Sequence, residues 1–364
     1  MSAAELSAPA SKGRGRGEGS FLTRERLQEI LEQIRGLRIG VLGDFTLDGY
    51  WYADMLQSQL SRETPLYPRP IVRETYTPGG SANVAWNAAA LQAGSVQAFS
   101  VLGQDWRGAI LREVLEREGI QTGALLVTPE RKTPFYGKVV LTAEGRVRQE
   151  DARLDFINTM PLSPAIEAEF LTGLRSALAG LDALIIADYQ TNGVVTDTVA
   201  QALLGLARTH PGLPVVVDSR ERAAEFGELI LKPNSLEAAR LFFPGREPGA
   251  VSMEELGAAA LAHERKNGKP VFITRGELGC LVCAGGECQA VPGVRVQPPV
   301  DPVGAGDAFL ASLTAALAAG ASPLESACLA NLSSAVTVGK IGVTGTASPA
   351  EILEMHARWK GETK

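Results

Sequence analysis

The chain has 364 residues, 45% hydrophobic and 21% charged, with a net charge of −6 and a pI near 5.4. That balance fits a globular protein built mainly from one large α/β domain. It lacks the basic footprint of a nucleic-acid binder, and no apolar run approaches the ~20 residues that cross a bilayer, so neither nucleic acid nor membrane is an expected partner.

Residues 1–22 carry no apolar leader and read as a disordered tail, with Arg14 and Arg16 solvated. A single domain is expected over 23–364. Residues 23–35 form an amphipathic helix, with Thr23 as N-cap and Leu27, Ile30, Leu31 and Ile34 on one face. The apolar run LRIGVLGD is a buried strand that ends at Gly43-Asp44. An alanine-rich helix over 84–93, the strand VQAFSVLG and a helix over 107–118 follow. Strands at 182–188, 214–218, 229–232 and 270–274 alternate with helices at 164–179, 196–209, 235–242 and 253–267. This alternation predicts a doubly wound, mostly parallel sheet with helices on both faces. Asp44, Asp188, Asp218, Asn234 and Arg275 recur just after strands, where open α/β sheets bind their ligands.

Two segments break the alternation. Residues 50–77 are polar and aromatic with β-like pieces, and 132–150 read as a hairpin turning at Ala143-Glu144-Gly145. Together they form either a small β lid that keeps water from the chemistry or a solvent-facing excursion. The cysteines are Cys280, Cys283, Cys288 and Cys328. The Cys280/Cys283 pair lies in a strand that turns at Ala284-Gly285-Gly286, so its thiols point to opposite faces. No second C-x-x-C or neighbouring histidine completes a metal site. The expectation is four reduced, structural thiols and a cytoplasmic protein.

The most informative run is Asp301-Pro302-Val303-Gly304-Ala305-Gly306-Asp307, ahead of a helix over 308–319 that Gly320 stops. Its small residues leave the backbone N–H groups of Gly304, Ala305 and Gly306 open at a helix N-terminus, which favours an anion. Asp307 beside that cradle is a carboxylate base, and the pair suits phosphoryl transfer to a hydroxyl. Neither a Walker A loop nor a G-x-G-x-x-G turn accompanies it. Gly79, Gly80 and Asn83 precede the alanine-rich helix, where bare backbone and an amide suit a hydroxyl-bearing ligand or simply cap the helix. Asp44 and Asp48 are paired carboxylates for sugar hydroxyls, or solvated loop acids. Asn234 and Glu237, one turn apart, can both face one ligand or a hydrated Mg²⁺, or Asn234 merely caps the helix.

The ordered set GGSAN, KPNSLE, TRGELG and DPVGAGD, over residues 37–350, resembles the PfkB (ribokinase-like) carbohydrate kinases. The resemblance implies a ribokinase-like fold with a β lid, ATP, Mg²⁺ and γ-phosphate transfer to a sugar hydroxyl. It implies Asp307 as base and Gly304, Ala305 and Gly306 as anion hole. Asn234 and Glu237 would organise Mg²⁺ and phosphates, and Thr274, Arg275, Gly276 and Gly279 would contact the nucleotide, with Asn331 near the adenine. Asp44, Gly79, Gly80 and Asn83 would contact the sugar. The apolar aromatics Tyr50, Trp51 and Tyr52 suit either a homodimer made through the lids or packing on the sugar site, and a monovalent cation stays open.

Within the family the chain is most similar to the D-glycero-β-D-manno-heptose-7-phosphate kinases, which act on an anomeric hydroxyl. The likeness rests on GDFTLD with Tyr50-Trp51-Tyr52, SANVAWN, Arg153-Leu154-Asp155, Asp188-Tyr189 and VGKIG. It brings Asp48, Arg153, Asp188 and Arg220 to the acceptor side. Bifunctional relatives continue into a nucleotidyltransferase domain, whereas this chain reads as the kinase alone. It also departs from the heptose kinases. The lysine of their Asp-Tyr-x-Lys-Gly is missing from Asp188-Tyr189-Gln190-Thr191-Asn192-Gly193, and their Asp-Pro-Lys is Asp218-Ser219-Arg220. Arg220 or Arg222 is then the candidate holder of a sugar phosphate. Another sugar, a nucleoside, or a non-catalytic sugar- or nucleotide-binding role stays open at this point.

Overall fold

The computed structural model describes residues 21–143, 147–342 and 344–362. Residues 1–20 and the turn residues Glu144 and Gly145 lie outside them; the expected tail over 1–22 is corrected at its end, where Leu22 is buried in the core with Phe21 against it. Helix α1 (Arg24–Ile34) leads into β1 (Arg38–Gly43), followed by the strand pair β2 (Phe45–Asp54) and β3 (Ile71–Gly80). Next come α2 (Ser81–Ala90), β4 (Ser95–Gly103), α3 (Trp106–Arg117), β5 (Ile120–Gln121) and β6 (Leu125–Thr128). A second pair, β7 (Phe135–Ala143) and β8 (Val147–Phe156), precedes α4 (Pro164–Leu178), β9 (Ala183–Asp188), α5 (Asp197–Thr209), β10 (Val215–Ser219) and β11 (Ile230–Leu231). Then follow α6 (Ser235–Phe242), α7 (Met253–Asn267), β12 (Val271–Thr274), β13 (Cys280–Ala284) and β14 (Glu287–Val291). Helices α8 (Ala305–Ala318), α9 (Pro323–Val338) and α10 (Pro349–Glu362) complete the described chain.

Ten strands form the main sheet, in the order β14-β13-β12-β11-β10-β9-β1-β4-β5 with β6 also on β4. It is parallel except at β12-β13-β14. The central strands are apolar without a break because each face meets a helical layer. Ile39, Val41, Ile185, Ala187 and Val216 pack in one core with α1, α2, α8 and α9, while Leu42, Leu184, Ile186, Val215 and Val217 pack in another with α4, α5 and α7. Strand order reverses at β1, between β9 and β4, and the crevice that opens at such a reversal is where ligands bind. A separate four-stranded sheet, β3-β2-β7-β8, rises from this edge. It is tied to the main sheet through Asp44, the one residue between β1 and β2.

Local sequence explains most boundaries. The Thr23 hydroxyl accepts from the Arg26 N–H to start α1, and Ser322 with Glu325 makes a capping box ahead of α9, with Pro323 in the first turn. Two helices start earlier than composition predicts. α2 begins at Ser81 rather than 84, which puts Asn83 in its first turn. α8 begins at Ala305 rather than 308, because Gly304 takes a left-handed conformation (φ 82°) and turns the chain into the helix. The sequence reading left 349–362 without an element, and it is helical.

The expectation of four reduced thiols is corrected. Cys283 lies directly opposite Cys288 in the β13–β14 register, 4.1 Å apart at Cα, and the two form a disulfide. The Gly285-Gly286 turn, with both φ positive, is what brings them face to face. Cys280 and Cys328 are free and buried.

Candidate active site

A cleft of about 360 Å³ opens where the parallel strands end, with the four-stranded sheet as one wall and the N-terminus of α8 as its floor. Glycine at 304 is required by its positive φ and by space: a Cβ there would come within 3.0 Å of Thr344 and 3.1 Å of Asn83. The N–H groups of Gly304, Gly306 and Asp307 have no hydrogen-bond partner among the described residues. They are the open end of the helix, with its positive dipole end toward the cleft. Ala305 departs from the expected cradle, since its N–H donates to Pro302 O at 3.2 Å and closes the turn.

Asp307 sits on this first turn. Its Oδ2 accepts from Asn83 Nδ2 (2.7 Å), and its Oδ1 lies 3.1 Å from the Tyr189 hydroxyl. The same hydroxyl lies 3.2 Å from Asp218 Oδ2, and Lys232 Nζ reaches that oxygen at 2.9 Å. Burial pushes the Asp307 pKa up to about 6, against the hydrogen bond from Asn83, and the nearby Asp218 charge adds to the rise. Burial works to lower the Lys232 pKa, but Asp218 outweighs it and holds the ammonium above its usual value. Asn83 is thus the holder of Asp307; its Oδ1 and carbonyl both accept from Asn87 Nδ2.

On the wall of the four-stranded sheet, Asp48, Gly79 and Gly80 line the cleft with Thr46 and Tyr136. Gly79 must be bare: a Cβ would lie 2.1 Å from Asp48 Oδ1 and 2.5 Å from Thr46 Oγ1. Thr46 Oγ1, Asp48 Oδ1 and, across the cleft, Thr344 Oγ1 are buried and unpartnered within the described residues, as befits groups that wait for a polar ligand. Burial lifts the Asp48 pKa to about 6, with Lys138 pulling the other way. Arg220 also lines the cleft, its guanidinium 5.1 Å above the Tyr189 ring.

Other expected contacts are placed differently. Asp44 does line the cleft, but it gives both oxygens to backbone, accepting from Tyr189 N (3.0 Å), Gln190 N (2.9 Å) and Val194 N (2.7 Å), so it also anchors the loop that carries Tyr189. Asp188 is buried behind that loop, accepts from Ser219 Oγ at 2.6 Å, and does not line the cleft. Arg153 lies outside the cleft lining, in a two-point pair with Asp155 on β8. Arg222 is occupied by Asp197 and Glu225, which leaves Arg220 as the cleft arginine.

At the opposite end, Asn234, Glu237 and Thr274 line the cleft. Asn234 Oδ1 accepts from Leu236 N and Glu237 N while Glu237 Oε2 accepts from Asn234 N, so the helix-cap reading is realised; Asn234 Nδ2 and Glu237 Oε1 remain for a ligand. Arg275, Gly276 and Gly279 form a closed turn outside the lining: Arg275 N donates to Gly279 O and its guanidinium to Leu278 O. Asn331 is spent on Val291 O and Pro292 O. No cluster of three His, Cys, Asp or Glu side chains among the described residues makes a protein cage for a metal. The donors fit Mg²⁺ in its usual manner, which takes one or two carboxylates plus substrate phosphates and keeps its waters. Glu237 is such a carboxylate.

Tyr189, Lys232 and Asp218 line the cleft although the sequence motifs assign them no role there. Asp218 is visible as a polar residue after a strand, Lys232 stands two residues before Asn234 in the same KPN motif, and Tyr189 stands in the Asp188-Tyr189 motif without a role of its own.

The sequence profile described as pfkB family carbohydrate kinase matches residues 67–351. A bifunctional protein HldE of Pelobacter propionicus is 32% identical over 344 residues, which cover 92% of this chain and 66% of that protein. One of Caulobacter vibrioides is 32% identical over 352 residues, covering 93% and 67%. The chain therefore spans about two thirds of these relatives' length. Among solved structures, phosphofructokinase-2 of Escherichia coli in complex with potassium superposes with a TM-score of 0.67 at 20% identity, covering 89% of this chain and 99% of that one. The ribokinase of Arabidopsis thaliana complexed with ribose and ATP gives 0.63 at 19%, covering 88% and 99%. These likenesses establish a ribokinase-like fold.

Proposed function

The chain belongs to the pfkB family of carbohydrate kinases, phosphotransferases with an alcohol group as acceptor, and from that premise we propose that it transfers the γ-phosphate of ATP to the anomeric hydroxyl of D-glycero-D-manno-heptose 7-phosphate. The observation that carries the reading is the placement of the Asp307 carboxylate on the open first turn of α8, inside a cleft with buried, unpartnered polar groups. The acceptor hydroxyl donates to Asp307, which takes its proton as the oxygen attacks phosphorus. The N–H groups of Gly304, Gly306 and Asp307 and the Lys232 ammonium receive the charge of the transferring group. Asp48, Thr46 and Thr344 take sugar hydroxyls against the bare backbone of Gly79 and Gly80, and the four-stranded sheet acts as the lid.

Glu237 Oε1 and Asn234 Nδ2 would hold Mg²⁺ and phosphate oxygens through water, and the ion would neutralise phosphate charge. ATP as donor is supported by the family and by the ATP in the plant ribokinase; the potassium in the bacterial phosphofructokinase supports a monovalent cation. The heptose acceptor is supported by the motif likeness, by the relatives named HldE and by Arg220, which lines the cleft with its guanidinium held on Tyr189 and whose fork suits a phosphate. The reading places the enzyme in the cytoplasm, where ATP is supplied. It also includes a homodimer formed through the four-stranded sheet, which exposes Ile71, Val72 and Leu154.

The test is ATP consumption with Mg²⁺ against heptose 7-phosphate, fructose phosphates, ribose, fructose and adenosine. Turnover confined to heptose 7-phosphate is expected. Preference for an unphosphorylated sugar would overturn the acceptor and leave the family assignment standing.

A further inference from the structure

The polar chain behind Asp307 has a feature that its role as base does not use. The Tyr189 hydroxyl lies between two carboxylates, 3.1 Å from Asp307 Oδ1 and 3.2 Å from Asp218 Oδ2. A hydroxyl has one hydrogen and can satisfy only one ionised carboxylate at a time. The outer ends of the chain are fixed: Asn83 Nδ2 donates to Asp307 Oδ2, and Lys232 Nζ donates to Asp218 Oδ2. Asp44 fixes the middle, because its three backbone acceptances lock the loop that begins at Tyr189.

We infer that Tyr189 is a positioning residue whose hydroxyl reverses its hydrogen-bond direction during turnover, donating to Asp307 while that group is the ionised base and to Asp218 once Asp307 holds the acceptor's proton. This rests on the kinase reading above. Before transfer, Tyr189 donates to Asp307 Oδ1, and Lys232 alone balances Asp218. In transfer, the acceptor's O–H bond breaks, its oxygen bonds to phosphorus, and its proton passes to Asp307. The Asp307 O–H then donates to the Tyr189 oxygen, while the Tyr189 hydrogen turns to Asp218 Oδ2, whose charge Lys232 already faces. Each hydrogen has an acceptor in both states, no proton leaves the site, and the reversal needs one hydroxyl rotation. The sequence departure at Gln190-Thr191-Asn192, where the heptose kinases carry a lysine, leaves this chain intact.

The groups that bear on Asp307 are Asp218 on β10, Lys232 after β11, Tyr189 after β9, Asn83 on α2 and, further off, Asp48 on β2. Loss of the tyrosine hydroxyl removes a donor that favours ionised Asp307, so Tyr189→Phe should move its titration up. Asp218→Asn removes a like charge and should move it down. A purely structural role for Tyr189 predicts no rise in Tyr189→Phe, whereas the fall in Asp218→Asn checks that Asp218 and Asp307 feel each other across the hydroxyl.

The experiment is an infrared pH titration of the protonated-carboxyl band on the full chain without substrates, with the Asp307 band identified by its loss in Asp307→Asn. The band should titrate near pH 6 in the native chain, about one pH unit higher in Tyr189→Phe and lower in Asp218→Asn. In parallel, with ATP and heptose 7-phosphate, the acid limb of kcat should shift in the same directions while the KM for ATP stays within about twofold. If Tyr189→Phe keeps the native melting temperature and the band does not move, the proposal is overturned. If Tyr189→Phe fails to fold, an unmoved band in Asp218→Asn overturns it equally. Band shifts as expected without turnover of any acceptor would sink the kinase reading and leave the hydrogen-bond arrangement standing.

Discussion

The two halves of the cleft treat their polar groups in opposite ways. The acceptor half leaves Thr46 Oγ1, Asp48 Oδ1 and Thr344 Oγ1 buried and unpartnered within the described residues. The end read as the nucleotide's spends more of its polar groups on its own backbone: Asn234 and Glu237 cap α6 and, just outside the lining, Asn331 pins the end of β14 and Arg275 donates to Leu278 O, though Arg275 Nε stays unpartnered within the described residues. Unpartnered buried polar atoms cost free energy of about 1–3 kcal/mol each, and a ligand that supplies the missing partners recovers it. On the proposed reading, the end lined by Thr46, Asp48 and Thr344 takes the acceptor and acts as a prebuilt mould that selects by hydrogen-bond pattern. The nucleotide half offers the ligand mainly open backbone N–H groups at α8 and the unused Asn234 Nδ2 and Glu237 Oε1. Substitutions should accordingly strike kcat at the junction, acceptor KM in one half, and little behind the wall.

The largest effect is expected at the junction. Asp307→Asn should lower kcat about 10³-fold with ATP binding near native, measured by steady-state kinetics and nucleotide titration. A base must be ionised to work, and burial raises the Asp307 pKa to about 6. Native activity should therefore fall as pH drops through that value, and the asparagine variant should lack this limb. Next is Lys232→Met, which should cost about 10²-fold in kcat. It should also lower the melting temperature, because Asp218 loses the ion pair it makes in the interior. An unchanged kcat would move the ammonium out of the transfer step.

Arg220→Met should raise KM for heptose 7-phosphate about 10- to 100-fold and leave KM for ATP alone. A rise in the ATP constant instead would place Arg220 on the other half. The smallest effect belongs behind the wall. Burial raises the Asp188 pKa to about 7, so the folded state binds a proton more tightly than the unfolded chain does and loses stability as pH rises through that range. Asp188→Asn should leave KM for the acceptor unchanged and raise the melting temperature by a few degrees at pH 8, with the gain shrinking as pH falls toward the ordinary carboxylate range of about 4. A changed acceptor KM would return Asp188 to the substrate.

Much of the fold was legible because it is written in local periodicity. β1, β9 and β10 are unbroken apolar runs, and the structure sends alternate residues to the two helical cores. The site was legible where a motif doubles as backbone chemistry, as at Gly304, whose positive φ both starts α8 and opens its N-terminus. It was not legible where burial is decided by strands distant in sequence. Asp44 is an anchor only because the loop at 189–194 folds onto it, some 145 residues away. Tyr189 matters only because Asp218 and Asp307 converge on its hydroxyl. The Cys283–Cys288 bridge depends on the cross-strand register that a two-glycine turn sets, which the Cys280/Cys283 spacing does not encode.

The central claim is that Asp307, on the open turn of α8, deprotonates a sugar hydroxyl for attack on ATP. The most direct measurement is ³¹P NMR of a reaction containing the protein, ATP, Mg²⁺ and heptose 7-phosphate, with Asp307→Asn alongside. The account predicts a new anomeric phosphate that grows as ADP accumulates and is absent with the variant. Equal product from the variant would contradict it.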